Sequence, residues 1–283
     1  MSVAEAHTND PYVGQVLPDR EFTVDEPVLE SYYRGLNIER EDRSFVPTAV
    51  LSKPDNDYIH DAGYSYRVGH LWIQQRWEFF QPLSTGNTYA VRGKILDIYS
   101  HRDRNVVKYE TLVLGANGDT AARSEHHQSF LKAAPESGEV KLRDPKSKPG
   151  ARKFDIPSGA PFGEVDRRIT VEMCGDFFYG KSSYHTDASA SKELGFKDIV
   201  VGGRMTMAYA ADALERRFPG AWDRSGHLEV KFINPVWALD TITVHGVVTG
   251  PLAEAPERTG AFVWITNEED AVVLVANASV IEE

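Results

Sequence analysis

The chain has 283 residues, 41% of them hydrophobic and 26% charged, with a formal net charge of −11. This is globular composition with room for one large domain or two ordinary ones, and it lacks the basic footprint that general nucleic-acid binding needs. The single cysteine, Cys174, rules out an internal disulfide and a Cys-based metal cluster. No apolar run is long enough to cross a membrane, and the polar start MSVAEAHTNDPY has no signal core. A cytoplasmic protein is expected. Any anionic ligand must be met by a local patch of a few Lys and Arg side chains.

In chain order, EPVLESYYRGL (26–36) is a short helix candidate, whereas SKPDNDYIHDAGYS (52–65) has no helical period. Trp72, Trp77, Phe79 and Phe80 alternate partly on a strand and are expected in the core or at a seam. His60 and His70 sit in loop-rich sequence without metal-site spacing and are read as structural or as pocket lining. Residues 79–95 read as strand, Pro-marked loop, turn and alternating strand. SHRDR (100–104) is a charged hairpin end, expected to be solvated. Residues 105–131 read as a strand, an Asn117-Gly118 turn and a second strand. Adjacent His126 and His127 face opposite sides of that strand, so they do not readily share a metal; a polar outer face is expected.

Residues 133–161 are rich in Pro, Lys, Ser and Gly and read as a linker. TVEMCGDFFYG (170–180) is a helix candidate with Thr170 as cap and Gly180 as stop. Residues 188–195 form a further helix candidate, capped by Asp187. In residues 204–218, Met207, Ala210, Ala211, Leu214 and Phe218 share one helical face. Pro219-Gly220 ends that helix, and Arg216 and Arg217 suit its last turn.

An internal repeat organises these elements. FFQPLSTGNTYAVRGKI (79–95) aligns without gaps to FINPVWALDTITVHGVV (232–248) at an offset of 153. Phe79, Gln81, Pro82, Asn87, Thr88, Val91 and Gly93 match Phe232, Asn234, Pro235, Asp240, Thr241, Val244 and Gly246. Each half then ends in an antiparallel meander. The expected plan is α+β: residues 1–132, a linker at 133–165, and residues 166–283, with two sheets that can merge edge to edge.

The stretch YHTDASASKELGFKDIVVGGRMTMAY (184–209) carries the chemistry-bearing residues. His185, Asp187, Gly195-Phe196, the apolar run 199–201 and Gly203 resemble the MaoC-like, or (R)-specific enoyl-CoA hydratase, branch of the hot-dog fold. The duplication resembles its double hot-dog members. The resemblance implies hydration of an enoyl-CoA thioester, or the reverse dehydration of a 3-hydroxyacyl-CoA. His185 is then the base on water, and the Gly203 N–H at a helix N-terminus is the oxyanion donor. Ser183 and Arg204 are candidate substrate contacts; a cation in the first helical turn is slightly misplaced unless it meets an anion. The family's catalytic Asp lies five residues before the His, and here that position is Gly180. The acid partner is therefore open between Asp176 and Asp187, although a solvated helix face and a helix cap are their plainer roles. No metal or redox cofactor is implied. Coenzyme A or a carrier pantetheine belongs to the substrate, and a homodimer is plausible. The alternatives are an acyl-CoA thioesterase on the same fold and a non-catalytic thioester-binding subunit of a hetero-oligomer.

Overall fold

The computed structural model describes residues 10–40, 46–133, 136, 140, 154–180 and 182–282. Most of the stretch read as linker lies outside these residues. Its last residues already belong to a strand, β6 (Ala160–Arg168).

The first half consists of β1 (Arg20–Thr23), α1 (Glu26–Leu36), a 3-10 turn at Thr48–Leu51, the short helices α2 (Ser52–Asp57) and α3 (Ile59–Ala62), then β2 (Leu71–Phe79), β3 (Thr88–His101), β4 (Arg104–Leu114) and β5 (Thr120–Leu131). The second half consists of β6, α4 (Val171–Phe177), α5 (Ala188–Glu193), α6 (Gly203–Arg217), α7 (Trp222–Ser225), β7 (His227–Phe232), β8 (Thr241–Pro251), β9 (Thr259–Asn267) and β10 (Val272–Val280).

The strands form one antiparallel sheet in the order β1-β3-β4-β5-β2-β7-β10-β9-β8-β6. Read outward from the centre, the two halves repeat the same sequence of strands. The internal repeat is thereby visible in space: β3 and β8 begin at Thr88 and Thr241, and β2 and β7 end at Phe79 and Phe232. The two expected sheets are one continuous sheet, joined where β2 pairs with β7 from Gln74↔Lys231 to Glu78↔His227. That seam turns two former edges into a paired interior.

The sheet wraps around α6. A surface helix would show one apolar stripe, but residues 204–215 are all buried. The run of Ala at 208, 210, 211 and 213 lets the helix sit against several strands at once. Glu215, buried on this helix, accepts from the Thr48 N–H and hydroxyl, both at 2.6 Å, and so ties α6 to the first half. The matching central helix of the first half is broken into the 3-10 turn, α2 and α3, as the missing helical period implies.

Two expectations need correction. Phe80 is 47% exposed, because the chain has already left β2 there. His126 and His127 do face opposite ways, but neither is on a solvated surface. His126 lies between the parallel rings of Trp72 and Tyr109, at 4.4 and 4.7 Å. His127 is covered by Tyr99, whose hydroxyl lies 2.9 Å from its Nδ1. Sheet curvature and large neighbouring rings bury both.

Candidate active site

The site is assembled from α4, the turn that follows it, and the approach to α6. Thr170 Oγ accepts from the Met173 N–H at 3.1 Å and starts α4. Beyond its end, Phe178 presents its ring to His185, stacked at 4.4 Å and 14°. Ser183 builds the turn carrying His185: its Oγ accepts from the His185 N–H at 3.2 Å, and its carbonyl accepts from the Thr186 and Asp187 N–H groups. Ser183 therefore positions His185; it does not line the cavity.

The apolar run before α6 is held like a strand without being one. The Val201 N–H donates to the Val236 carbonyl, and the Ala238 N–H donates to the Ile199 carbonyl, each at 2.9 Å. This fixes the Val200 carbonyl, which lies 2.7 Å from His185 Nδ1. A carbonyl can only accept, so Nδ1 carries the proton and Nε2 keeps the lone pair. Burial lowers the His185 pKa to about 4, with the Val200 bond opposing that shift and His70 and Arg204 adding to it.

Gly202 caps α6, and its carbonyl accepts from Met205 and Thr206. The N–H groups of Gly203 and Arg204 precede the first intrahelical donor and are free of the helix ladder. A Cβ at Gly202 would lie 2.3 Å from the Phe178 ring and 3.3 Å from His185 Nε2. Glycine is what lets the histidine, the ring and the helix N-terminus converge.

These residues face a cavity of about 660 Å³ that spans the seam. Its walls include Trp72 and His70 from the first half and Phe232, Phe178, Tyr184 and His185 from the second. Trp72 and Phe232 meet across the seam at 5.1 Å. His70 is held like His185: its Nδ1 lies 2.8 Å from the Arg67 carbonyl, and its Nε2 lies 3.4 Å from the Tyr184 hydroxyl.

The candidate carboxylates lie elsewhere. Asp176 pairs with Arg34 at 3.2 Å. Asp187 caps α5, accepting from the Ser189 and Ala190 N–H groups at 2.7 and 3.0 Å. Neither is hydrogen-bonded to His185, and Gly180, in the left-handed region at φ 68°, offers no side chain. The plainer role of Asp187 is the one it plays. Gly203 and Arg204 do line the cavity, and Arg204 is only 6% exposed.

The hairpin SHRDR is not merely solvated surface. His101, Arg102, Asp103 and Arg104 line the cavity along with Lys231 from β7. In a chain of net charge −11 this is a locally basic wall, and only Asp103 is a carboxylate among the described lining residues. The hairpin's charge pattern was legible, but its approach to the cavity depends on the long-range β4–β5–β2 pairing. Trp72 stands at the seam, as its strand pattern implied, whereas Phe178 as a ring wall carried no local signal.

No curated protein matches the chain. The family model described as MaoC like domain matches residues 174–269. Among solved structures, a MaoC-like dehydratase is similar over 96% of this chain and 98% of its own, at 15% identity and a TM-score of 0.72. A conserved Mycobacterium tuberculosis protein described as having a double hotdog fold is similar over 95% of this chain and 96% of its own, at 14% identity and a TM-score of 0.62. An oleoyl thioesterase (putative) from Lactobacillus plantarum covers 95% and 96%, at 12% identity and a TM-score of 0.55. At these identities the structural likeness establishes the fold. Residues 174–269 match the MaoC like domain, and the chain as a whole has a double hot-dog fold whose two halves share one strand plan.

Proposed function

We propose that the protein hydrates an enoyl thioester of coenzyme A or of a carrier pantetheine, or runs the reverse dehydration of the 3-hydroxyacyl thioester. One observation carries this reading: His185 has its Nδ1–H committed to Val200 and its Nε2 turned to Gly202, beside the free N–H groups that open α6. His185 Nε2 takes a proton from water as the oxygen bonds to C3 of the enoyl group. The electron pair moves through C2 to the thioester oxygen, where the Gly203 N–H and the positive end of α6 meet the developing charge. The imidazolium then returns the proton to C2. With a pKa near 4 the imidazole is a weak base, and its conjugate acid is correspondingly strong. That suits one group doing both transfers with no carboxylate to share the proton.

The basic wall of His101, Arg102, Arg104 and Lys231 supports coenzyme A as the handle, with its phosphates at the mouth of the cavity. A cytoplasmic homodimer belongs to the same proposal, and light scattering of the purified chain checks its oligomeric part. The deciding experiment follows the loss of enoyl absorbance over a panel of enoyl-CoA thioesters, with wild type beside His185→Ala. Consumption by the wild type alone supports hydration, and release of free thiol instead supports a thioesterase. The lack of a carboxylate at His185 favours a second reading, a thioester-binding subunit; it predicts binding without turnover, or turnover only with a second protein.

A further inference from the structure

Arg204 presents a charge that the protein itself does not neutralise. Its side chain is 94% buried, being 6% exposed, at the N-terminal turn of α6, where the helix dipole already disfavours a cation. Its Nε donates to Ser52 Oγ at 3.1 Å, and its guanidinium lies against the rings of Phe177 and Phe178, each 5.4 Å from Cζ. Among the described residues no Asp or Glu lies within ion-pair distance of it. Asp55 feels its charge through space, but that carboxylate is committed to Gln75, Trp77 and Ser124. The Tyr179 phenol is also hydrogen-bonded to Arg204 and, its pKa raised by burial, remains a neutral group. Aromatic faces and two neutral hydroxyls soften the cost of a buried guanidinium but do not supply its counter-charge.

We infer that Arg204 receives a carboxylate at the far end of the acyl group, so that the substrate is a short dicarboxylic acyl thioester. This rests on the reading of the cavity as an enoyl-thioester site. Arg204 and His185 contact the same ring, Phe178, so only a few carbons separate the reacting C3 from the anion. The competing source of negative charge is coenzyme A itself. Its phosphates match the exposed mouth at Arg102 and Lys231, whereas Arg204 lies enclosed beside the reacting group. Guanidinium and carboxylate pair bidentately, a geometry the guanidinium of Arg204 can offer beside its hydrogen bonds to the neutral Ser52 and Tyr179 hydroxyls.

The test is calorimetric titration of the full chain with succinyl-CoA, butyryl-CoA and free coenzyme A, none of which can be hydrated. Succinyl-CoA is expected to bind roughly 30-fold tighter than butyryl-CoA, and Arg204→Gln to abolish that difference while free coenzyme A binds as before. Equal wild-type affinity for the two thioesters overturns the inference, and so does an Arg204→Gln chain that loses affinity for coenzyme A as much as for succinyl-CoA, which assigns Arg204 to a phosphate. If Arg204→Gln does not fold, the wild-type comparison alone decides. Turnover is then read separately with a C4 enoyl-CoA bearing a terminal carboxylate and with crotonyl-CoA. An Arg204-dependent preference in binding without turnover of either leaves the carboxylate site standing and removes the hydratase reading. Equal turnover of both does the reverse.

Discussion

His185 and Val200, fifteen residues apart, are joined by a 2.7 Å contact from the imidazole Nδ1 to the backbone carbonyl. The tautomer of the proposed base is thus set by the apolar run leading into α6, and that run is held by residues 236–238 of the second half. The proposed base and the proposed oxyanion donor are consequently positioned by one short segment.

Replacing His185 by Ala is expected to lower hydration by roughly 10²–10⁴-fold in kcat, the usual range for a positioned general base. Asp176→Asn and Asp187→Asn should retain most of the activity, because their carboxylates serve Arg34 and the start of α5. Asp187→Ala should instead cost about 1 kcal/mol of stability as a lost helix cap. Initial rates and urea midpoints of the four variants check this. Activity abolished in Asp176→Asn would show that the carboxylate reaches the site.

The pH profile follows from the buried imidazole. His185, lowered to about 4, stays neutral across the neutral range. The value of kcat/KM should therefore be flat from pH 8 down to about 5 and fall as pH drops through 4. A fall centred near the ordinary histidine value of 6.5 would contradict it.

Stability should respond to acid sooner than activity does. His126 is lowered to about 3 and His127 to about 4, both chiefly by burial. The unfolded chain takes up these protons near pH 6.5, before the folded chain does, so stability declines as pH falls from 6.5 toward those values. Asp55 works the other way. Burial raises it to about 6, so its carboxyl is protonated in the folded state first and gains stability as pH falls below 6. The histidines outnumber it, and a net loss is expected. His126→Phe keeps the ring between Trp72 and Tyr109 and should flatten the slope of Tm against pH between 6.5 and 4.

Gly202→Ala should damage the site more than Gly203→Ala. The new methyl at Gly202 lies 2.3 Å from the Phe178 ring, whereas at Gly203 it meets Trp72 and Phe232 at 3.2 and 3.3 Å, distances a small side-chain shift can absorb. Reduced kcat with lower Tm is expected for Gly202→Ala, and a smaller change, mainly in KM, for Gly203→Ala.

Ionic strength offers a check on the cavity mouth. Arg102→Ala and Lys231→Ala should raise KM for a coenzyme A thioester and weaken its dependence on salt, with kcat little changed. Unchanged KM in both would place the phosphates elsewhere.

What the sequence made legible was mostly periodic or repeated. The 153-residue offset foretold a two-fold plan that the strand order reproduces. The caps at Thr170 and Asp187 formed where their side chains could reach the next N–H groups. β1 was missed, as four residues carry too little pattern. The burial of His126 was missed because its neighbours, Trp72 and Tyr109, arrive from other strands. The carboxylate question stayed open for a related reason: Asp176 is claimed by Arg34, 142 residues away, a partner no local window contains.

The seam between β2 and β7 also bears on inheritance. Once two copies share a sheet, each is free to drift only where the other does not lean on it. The copy bearing His185 holds the proposed base, while the other keeps Trp72, His70 and the floor under Arg204 at Ser52. Descendants of such a fusion are expected to agree along the stretch from His185 to Gly203 and to diverge in what they accept through residues 48–75. On the proposed function, substrate choice is then recorded in the half that lacks the proposed base.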